Sequence, residues 1–457
     1  MNVEQTVLPK RFHDAVLHWQ RHNFPDYGLL PENWQKYFPN DPDFCLCAKM
    51  EVGMGDTIEI GDRAGQARMT KPSDMGEEPA RHLLAIIRAQ ASTEFGSIQQ
   101  HEGTLARAQD DEDRYWVLRV MAEELRHGYQ MFHLLVSQDW SGVSGQKAEE
   151  MVEEILSMRT GSHVLDAFNL EYDSFVDNVV FAAVIDRVGK YQLAMQRVCA
   201  YKPFAQSMPP MLREEAFHLA AGVIPLRRWV QRAAQGNELV TMAAIGRSFN
   251  KWMPRGLEMF GHEKGGESNI RFGFKNMKNA EAQSLYYEEC RKMVADLNQR
   301  YIRARLPKLS PEEAERLAAR LLAERGRHDG ISYEDLIELP DARFFRRKGE
   351  PAFTMVGTRG EEFASVDDYV RHLKSHLPDP YLHSRDMKGY VETLRDVAAG
   401  RVTVDQAMKK MPSLKRVGGV CPCSNSVRWV VEEEAPAARN AASEPRPRSN
   451  QSQPKTI

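Results

Sequence analysis

The pattern Glu-x-x-His occurs twice, at Glu124–His127 and at Glu215–His218. One copy alone would be background; what constrains the fold is the residue that precedes each. Glu94 lies 30 residues before Glu124, and Asp186 lies 29 residues before Glu215. Each unit is therefore a carboxylate on one helix followed, after a hairpin of similar length, by Glu-x-x-His on the next. Two such units make the donor set of a four-helix bundle that holds paired metals in its core.

Helical periodicity places all six residues on apolar stripes. The first stripe runs Leu84, Ile87, Ala91, Glu94, Ile98, and the second Val117, Val120, Met121, Glu124, His127, Met131, Leu134. The third runs Val179, Ala182, Asp186, Gly189, Leu193, and the fourth Met211, Glu215, His218, Gly222, Trp229. A lone buried-face Glu is more often an ion-pair partner, and a lone His a satisfied core histidine. Six at matching spacing on four stripes are another matter. Four carboxylates buried together repel, and each loses hydration worth about several kcal/mol. Two divalent cations cancel the four charges, and neutral imidazoles complete the set. Asp186 has competitors in Glu171, Asp173 and Asp177, and Arg187 beside it could pair with an acid; spacing and stripe favour Asp186. Glu123 and Glu214 each lie four positions before a His, so each is expected to accept the other ring N–H of the imidazole on its own helix.

The rest of the chain divides around this unit. Residues 1–75 are rich in aromatics, Pro, Gly and Asp and read as an irregular wrapping segment with one early helix near Phe12 to Gln20. Residues 76–265 form the bundle, with helices over about 78–104, 111–139, 172–200 and 204–234 and a shorter one at 145–158. Pro209-Pro210 is expected to start or kink the last. Residues 266–434 read as a mostly helical extension, with charged helices over 279–306 and 311–326 and a strand-like piece at Phe353-Thr354-Met355-Val356. From 435 to 457 the composition cannot repay the entropy of ordering, so a disordered tail is expected. The fold class is all-α.

Several function classes drop out. The longest apolar run, Val179 to Ile185, is far short of the roughly 20 residues of a membrane helix. The first ten residues lack a signal-peptide layout, and six cysteines in 457 residues are no disulfide framework, so a cytoplasmic location is expected. With 61 basic against 64 acidic residues there is no electrostatic case for nucleic acid. The pairs Cys45/Cys47 and Cys421/Cys423 have one residue too few between them for usual zinc spacing; a zinc site, a strained redox pair and plain thiols are the readings, the last the default.

Oxygen-rich donors with two imidazoles and no thiolate suit iron or manganese. Storage, radical generation and oxygen activation all use such bundles. A radical-storing tyrosine one turn after the first His is replaced by Met131, and the chain is far longer than a storage bundle, so oxygenase is the better reading.

The segments Arg88 to Glu94, Glu123 to His127, Asp186 to Gln192 and Glu214 to His218 resemble the oxygenase components of benzoyl-CoA 2,3-epoxidases, relatives of the phenylacetyl-CoA epoxidase catalytic subunit. The resemblance is good over about 78–235 and weak after about 330. It implies a ferritin-like di-iron monooxygenase with two Fe ions and O2 as co-substrate, epoxidising an aromatic acyl-CoA. Electrons would come from NADPH through a separate FAD and iron–sulfur reductase. Gln90, one turn before Glu94, matches a Gln associated with the substrate side. For CoA or the reductase, the basic clusters Arg343/Arg346/Arg347/Lys348 and Arg227/Arg228/Arg232 are candidates. The alternatives are a di-iron oxygenase or desaturase on another substrate, and a non-enzymatic iron-binding bundle.

Overall fold

A computed structural model describes residues 2–236, 240–261 and 266–410. The expected tail at 435–457 and the Cys421/Cys423 pair lie outside the described residues. Helices dominate. The N-terminal segment pairs β1 (Val3–Thr6) with β2 (Ala48–Glu51) in an antiparallel ladder and carries α1 (Lys10–Asn23) and α2 (Leu29–Tyr37). Between α2 and the bundle the chain is largely irregular, as its composition implies. The bundle helices are α3 (Glu77–Leu105), α4 (Asp111–Val136), α7 (Phe175–Gln196) and α8 (Lys202–Ala234). The short α5 (Ser141–Ser144) and α6 (Ala148–Leu156) lie between the two halves.

These helices form because apolar residues recur at helical spacing, and α7 also has a side-chain cap. Ser174 closes the start of α7, its hydroxyl accepting from the Val176 N–H. α3 packs on α4, α7 on α8, and α4 also on α8, so the stripes converge on one axis. Burial of side chains such as Ile87, Phe95, Met121, Val180 and Trp229 supplies the driving force, roughly 1.5–3 kcal/mol for each large apolar group.

α8 does not start at Pro209-Pro210. It begins at Lys202, with Pro203 in its first turn, and runs unbroken through Pro209, Pro210 and Pro225. Pro203 is the start signal, since its missing N–H is an orphan there anyway. The interior prolines are buried, and packing against α4, α7 and β2 outweighs their cost of about 3 kcal/mol each.

Beyond α8 come α9 (Met242–Glu258), which packs on α7, and α10 (Glu267–Arg271). α11 (Asn279–Arg305) lies on α8 and α7, and α12 (Pro311–Glu324) lies on α11. A two-residue ladder of β3 (Arg327–His328) with β4 (Ile331–Ser332) follows. α13 (Val366–His376), α14 (Asp379–Leu382), α15 (Arg385–Ala398) and α16 (Val404–Lys410) complete the described chain. The strand-like 353–356 piece amounts to one bridge, Val356 to Glu362. The architecture is an all-α, ferritin-like bundle with a helical extension. Among the described residues, no helix is long and apolar enough to cross a membrane.

Candidate metal centre

Each bundle helix delivers its predicted residues to the shared axis: Glu94 from α3, Glu124 and His127 from α4, Asp186 from α7, Glu215 and His218 from α8. The carboxylates are 4–8% exposed and both imidazoles fully buried. Donor atoms of Glu94, Glu124 and His127 lie within 4.8 Å of one another, as do those of Glu124, Asp186 and His218. Glu124 joins the two groups. Its Oε2 stands 3.9 Å from His127 Nδ1 and its Oε1 3.6 Å from His218 Nδ1. Glu94 Oε2 is 3.8 Å from His127 Nδ1, and Glu215 Oε2 is 3.5 Å from His218 Nδ1.

The rings turn one way. Both Nδ1 atoms face the carboxylates and have no hydrogen-bond partner, nor do Asp186 Oδ2 and Glu215 Oε2. Buried polar atoms without partners cost about 1–3 kcal/mol each unless something fills the space between them. Electrostatics agree. Burial and the neighbouring Glu94 charge push the Glu124 carboxyl well above its ordinary value, and burial pushes Asp186 up to about 8. Burial works against Glu94 too, but contacts with Glu124 and His127 hold its carboxyl below the usual range. Burial also opposes protonation of the imidazoles; the hydrogen bond to Glu214 and, for His218, the nearby Glu123 and Glu215 carboxylates prevail, raising His127 and, further, His218. Four buried carboxylates that repel one another, together with two imidazoles, fit a pair of divalent cations.

The outer carboxylates are arranged differently from the sequence expectation. Glu214 does not meet His218 on its own helix; it accepts from the Nε2–H of His127 across the bundle at 3.0 Å. Glu123 likewise faces the other helix, its Oε2 3.1 Å from His218 Nε2 though off hydrogen-bond alignment. The reason is ring direction. With Nδ1 aimed at the cluster, Nε2 points out through the α4–α8 seam toward the partner helix rather than back along its own. Each carboxylate has an arginine. Arg126 and Lys49 donate to Glu214, Lys49 Nζ to its Oε1 at 3.0 Å. Arg119 Nε donates to Glu123 Oε1 at 2.9 Å while its guanidinium lies over the Phe217 ring at 3.9 Å.

Arg126 and Lys49 escaped the sequence reading because they act across 88 and 165 residues of chain. Arg119 was findable, four positions before Glu123 on one helix. His101, two turns beyond Glu94, was also missed. It is fully buried with an unpartnered Nε2, its ring 5.1 Å edge-on to Tyr172, and burial pushes it down to about 3, so it stays neutral. Arg187 pairs with Glu289 of α11, which leaves Asp186 to the cluster. Of the rival acids, Asp173 and Asp177 both accept from Lys251 at 2.9 Å, and Glu171 is exposed. Gln90 is half-buried one turn before Glu94.

Both basic clusters are tied up internally. Arg343 pairs with Asp341 and Glu362, Arg347 with Asp386 and Lys348 with Asp166, and Arg346 is buried. Arg227 pairs with Asp296, Arg228 with Asp113 and Arg232 with Asp110.

Over 190 residues the chain is 32% identical to benzoyl-CoA oxygenase component B of Aromatoleum evansii, a match covering 39% of this chain and 39% of that protein's length. Residues 65–330 match the family model described as phenylacetic acid catabolic protein. All four donor-bearing helices fall inside that span, and the chain belongs to the phenylacetic acid catabolic protein family.

Proposed function

We propose that this chain is the oxygenase component of a multicomponent enzyme that epoxidises an aromatic acyl-CoA, benzoyl-CoA or a close analogue, with O2. Glu94, Glu124, His127, Asp186, Glu215 and His218 hold two iron ions. The observation that carries this reading is the pair of buried Nδ1 atoms, without hydrogen-bond partners, facing four carboxylates in a bundle of this family. The bound metals would supply the electrons for O2 reduction, drawn from NADPH through a flavin and iron–sulfur reductase. The name of the relative, a component B, supports such a division of labour.

The chain's own residues prepare the site. Glu214, kept ionised by Arg126 and Lys49, takes the Nε2–H of His127 and so leaves the Nδ1 lone pair for metal. Glu124 reaches both halves with its two oxygens. Met131, buried one turn beyond His127, offers no phenol for a stored radical. Gln90 is assigned to the substrate side.

Anaerobic Fe(II) titration followed by O2, with and without a panel of aryl-CoA thioesters and a reductase, tests the reading. Two irons per chain and O2 consumption that depends on benzoyl-CoA are expected. Uncoupled mineralisation of many irons would instead mark a storage bundle. Full iron binding by a Glu124→Ala/Glu215→Ala variant would remove the ligand assignment.

A further inference from the structure

Cys45 and Cys47 take no part in the donor clusters found among the described residues. They are nevertheless built as a pair. The Cys47 N–H donates to the Cys45 carbonyl at 3.1 Å, a turn closed over a single intervening residue. That turn brings the two Sγ atoms to 2.9 Å, with the Cys45 thiol donating to Cys47. Leu46 packs against the core between them and Phe44 lies edge-on to Tyr27, so the turn is anchored on both sides. Access is unequal: Cys45 is exposed and Cys47 buried.

We propose that Cys45 and Cys47 are a dithiol oxidation site at which hydrogen peroxide closes a reversible disulfide. The exposed Cys45 sulfur attacks one peroxide oxygen. The O–O bond breaks, and hydroxide leaves as water with the proton of the Cys45 thiol. The resulting sulfenic acid is then attacked by the Cys47 sulfur already beside it. The S–O bond breaks, the S–S bond forms, and a second water carries off the Cys47 proton. Two thiols lose two electrons in all, and the peroxide becomes two waters.

The division of roles follows from the environment. Burial, and then the Cys45 sulfur beside it, push the Cys47 thiol up to about 12, which makes it a poor first attacker but leaves it a resolving partner in contact. The ring would close next to β2, two residues from Lys49, which holds Glu214. The proposal stands apart from the metal assignment, because peroxide is supplied from outside in its test.

Both cysteines fall in one tryptic peptide, residues 37–49, which makes the test direct. The full-length chain is treated with graded hydrogen peroxide, alkylated under denaturing conditions, digested and weighed. The expected result is loss of two hydrogens from that peptide, both thiols disappearing together and returning after dithiothreitol, while Cys199 and Cys290 remain alkylatable. In a Cys47→Ser variant, Cys45 is expected to run on to sulfinic and sulfonic acids. In Cys45→Ser, Cys47 is expected to stay reduced. The proposal is overturned if the parent peptide stays a dithiol at peroxide levels that oxidise Cys45 in Cys47→Ser. It is equally overturned if Cys45 over-oxidises beside a free Cys47, if either cross-links to the peptide of Cys421 and Cys423, or if Cys45 is inert in both chains.

Discussion

Glu214 collects three donors at once: Arg126, Lys49 and the Nε2–H of His127. Against burial, these hold its carboxyl well below the ordinary range, so it stays an acceptor at any working pH. Glu214→Gln keeps the shape and removes the charge that makes the His127 Nδ1 a strong donor. Metal affinity should fall by about 10–100-fold, read by anaerobic Fe(II) titration, with secondary structure unchanged. An unaltered affinity would mean that this carboxylate serves only Arg126. Asp186 makes a second prediction, with a defined sign. Burial raises its folded value to about 8, above an unfolded value near ~3.9. Below the unfolded value both states are protonated and nothing is gained or lost. As pH rises through that window the unfolded chain releases its proton while the folded chain keeps it, so the metal-free fold loses stability until about pH 8. Asp186→Asn should therefore stabilise the metal-free protein at pH 8 by on the order of a few kcal/mol and leave it level with the parent near pH 4. Denaturant melts at the two pH values check this, and the same variant should no longer gain stability from added metal.

Helix against helix, glycines set the approach. A methyl at Gly222 of α8 would run into the main chain of Ala183 and Ala182 on α7, where nothing flexible can yield. Gly222→Ala should destabilise the fold by about 1–3 kcal/mol. Gly246→Ala in α9, where nothing stands within 4 Å, should stabilise by roughly 0.5–1 kcal/mol. At Gly189 of α7 the added Cβ would stand 2.7 Å from Glu215 Oε1, the free end of a side chain. There the helices stay put and the carboxylate moves, so Gly189→Ala should weaken metal binding with little change in melting temperature; a large drop in stability without loss of binding would contradict the assignment of Glu215. The helices carrying these residues were legible from the sequence because each has one apolar stripe interrupted by one or two acids or a His. α9 was not, since Gly246, Pro254 and Gly256 fall within its 17 residues and read as breakers. The crossing of Glu123 and Glu214 to the opposite helices was illegible for another reason. Spacing along one helix says which residues share a face, but the direction of an imidazole ring is fixed only once the second helix is beside it.

Across the whole molecule, the helical extension is joined to the bundle by buried charge. Arg347 makes a two-pronged contact with Asp386 at 2.5 and 2.6 Å and donates to Tyr381 at 2.7 Å, while its backbone N–H donates to Glu258 at the end of α9. Arg255 of α9 donates to the same Glu258 oxygen and to the Phe345 carbonyl. α9 packs on α7, which carries Asp186, so this knot ties residues 345–386 to a donor-bearing helix. Nothing in the sequence announced it, because Arg346, Arg347 and Lys348 look like a solvated basic run until the extension folds over them. Arg347 is 1% exposed, and removing it strands the Asp386 carboxylate, held below its usual range against burial chiefly by Arg347, without its counter-ion. Arg347→Met should cost about 3–5 kcal/mol, whereas Arg347→Met with Asp386→Leu should recover most of the loss, since a buried pair replaced as a unit is often neutral. The distribution of that loss is the sharper test. If the knot couples the extension to the bundle, the parent melts in one step and the single variant in two, with the extension digested first and the Fe(II) titration of the remaining bundle preserved. A single transition in Arg347→Met, shifted down as a whole, would mean that α11, lying on both α7 and α8, holds the two parts together by itself.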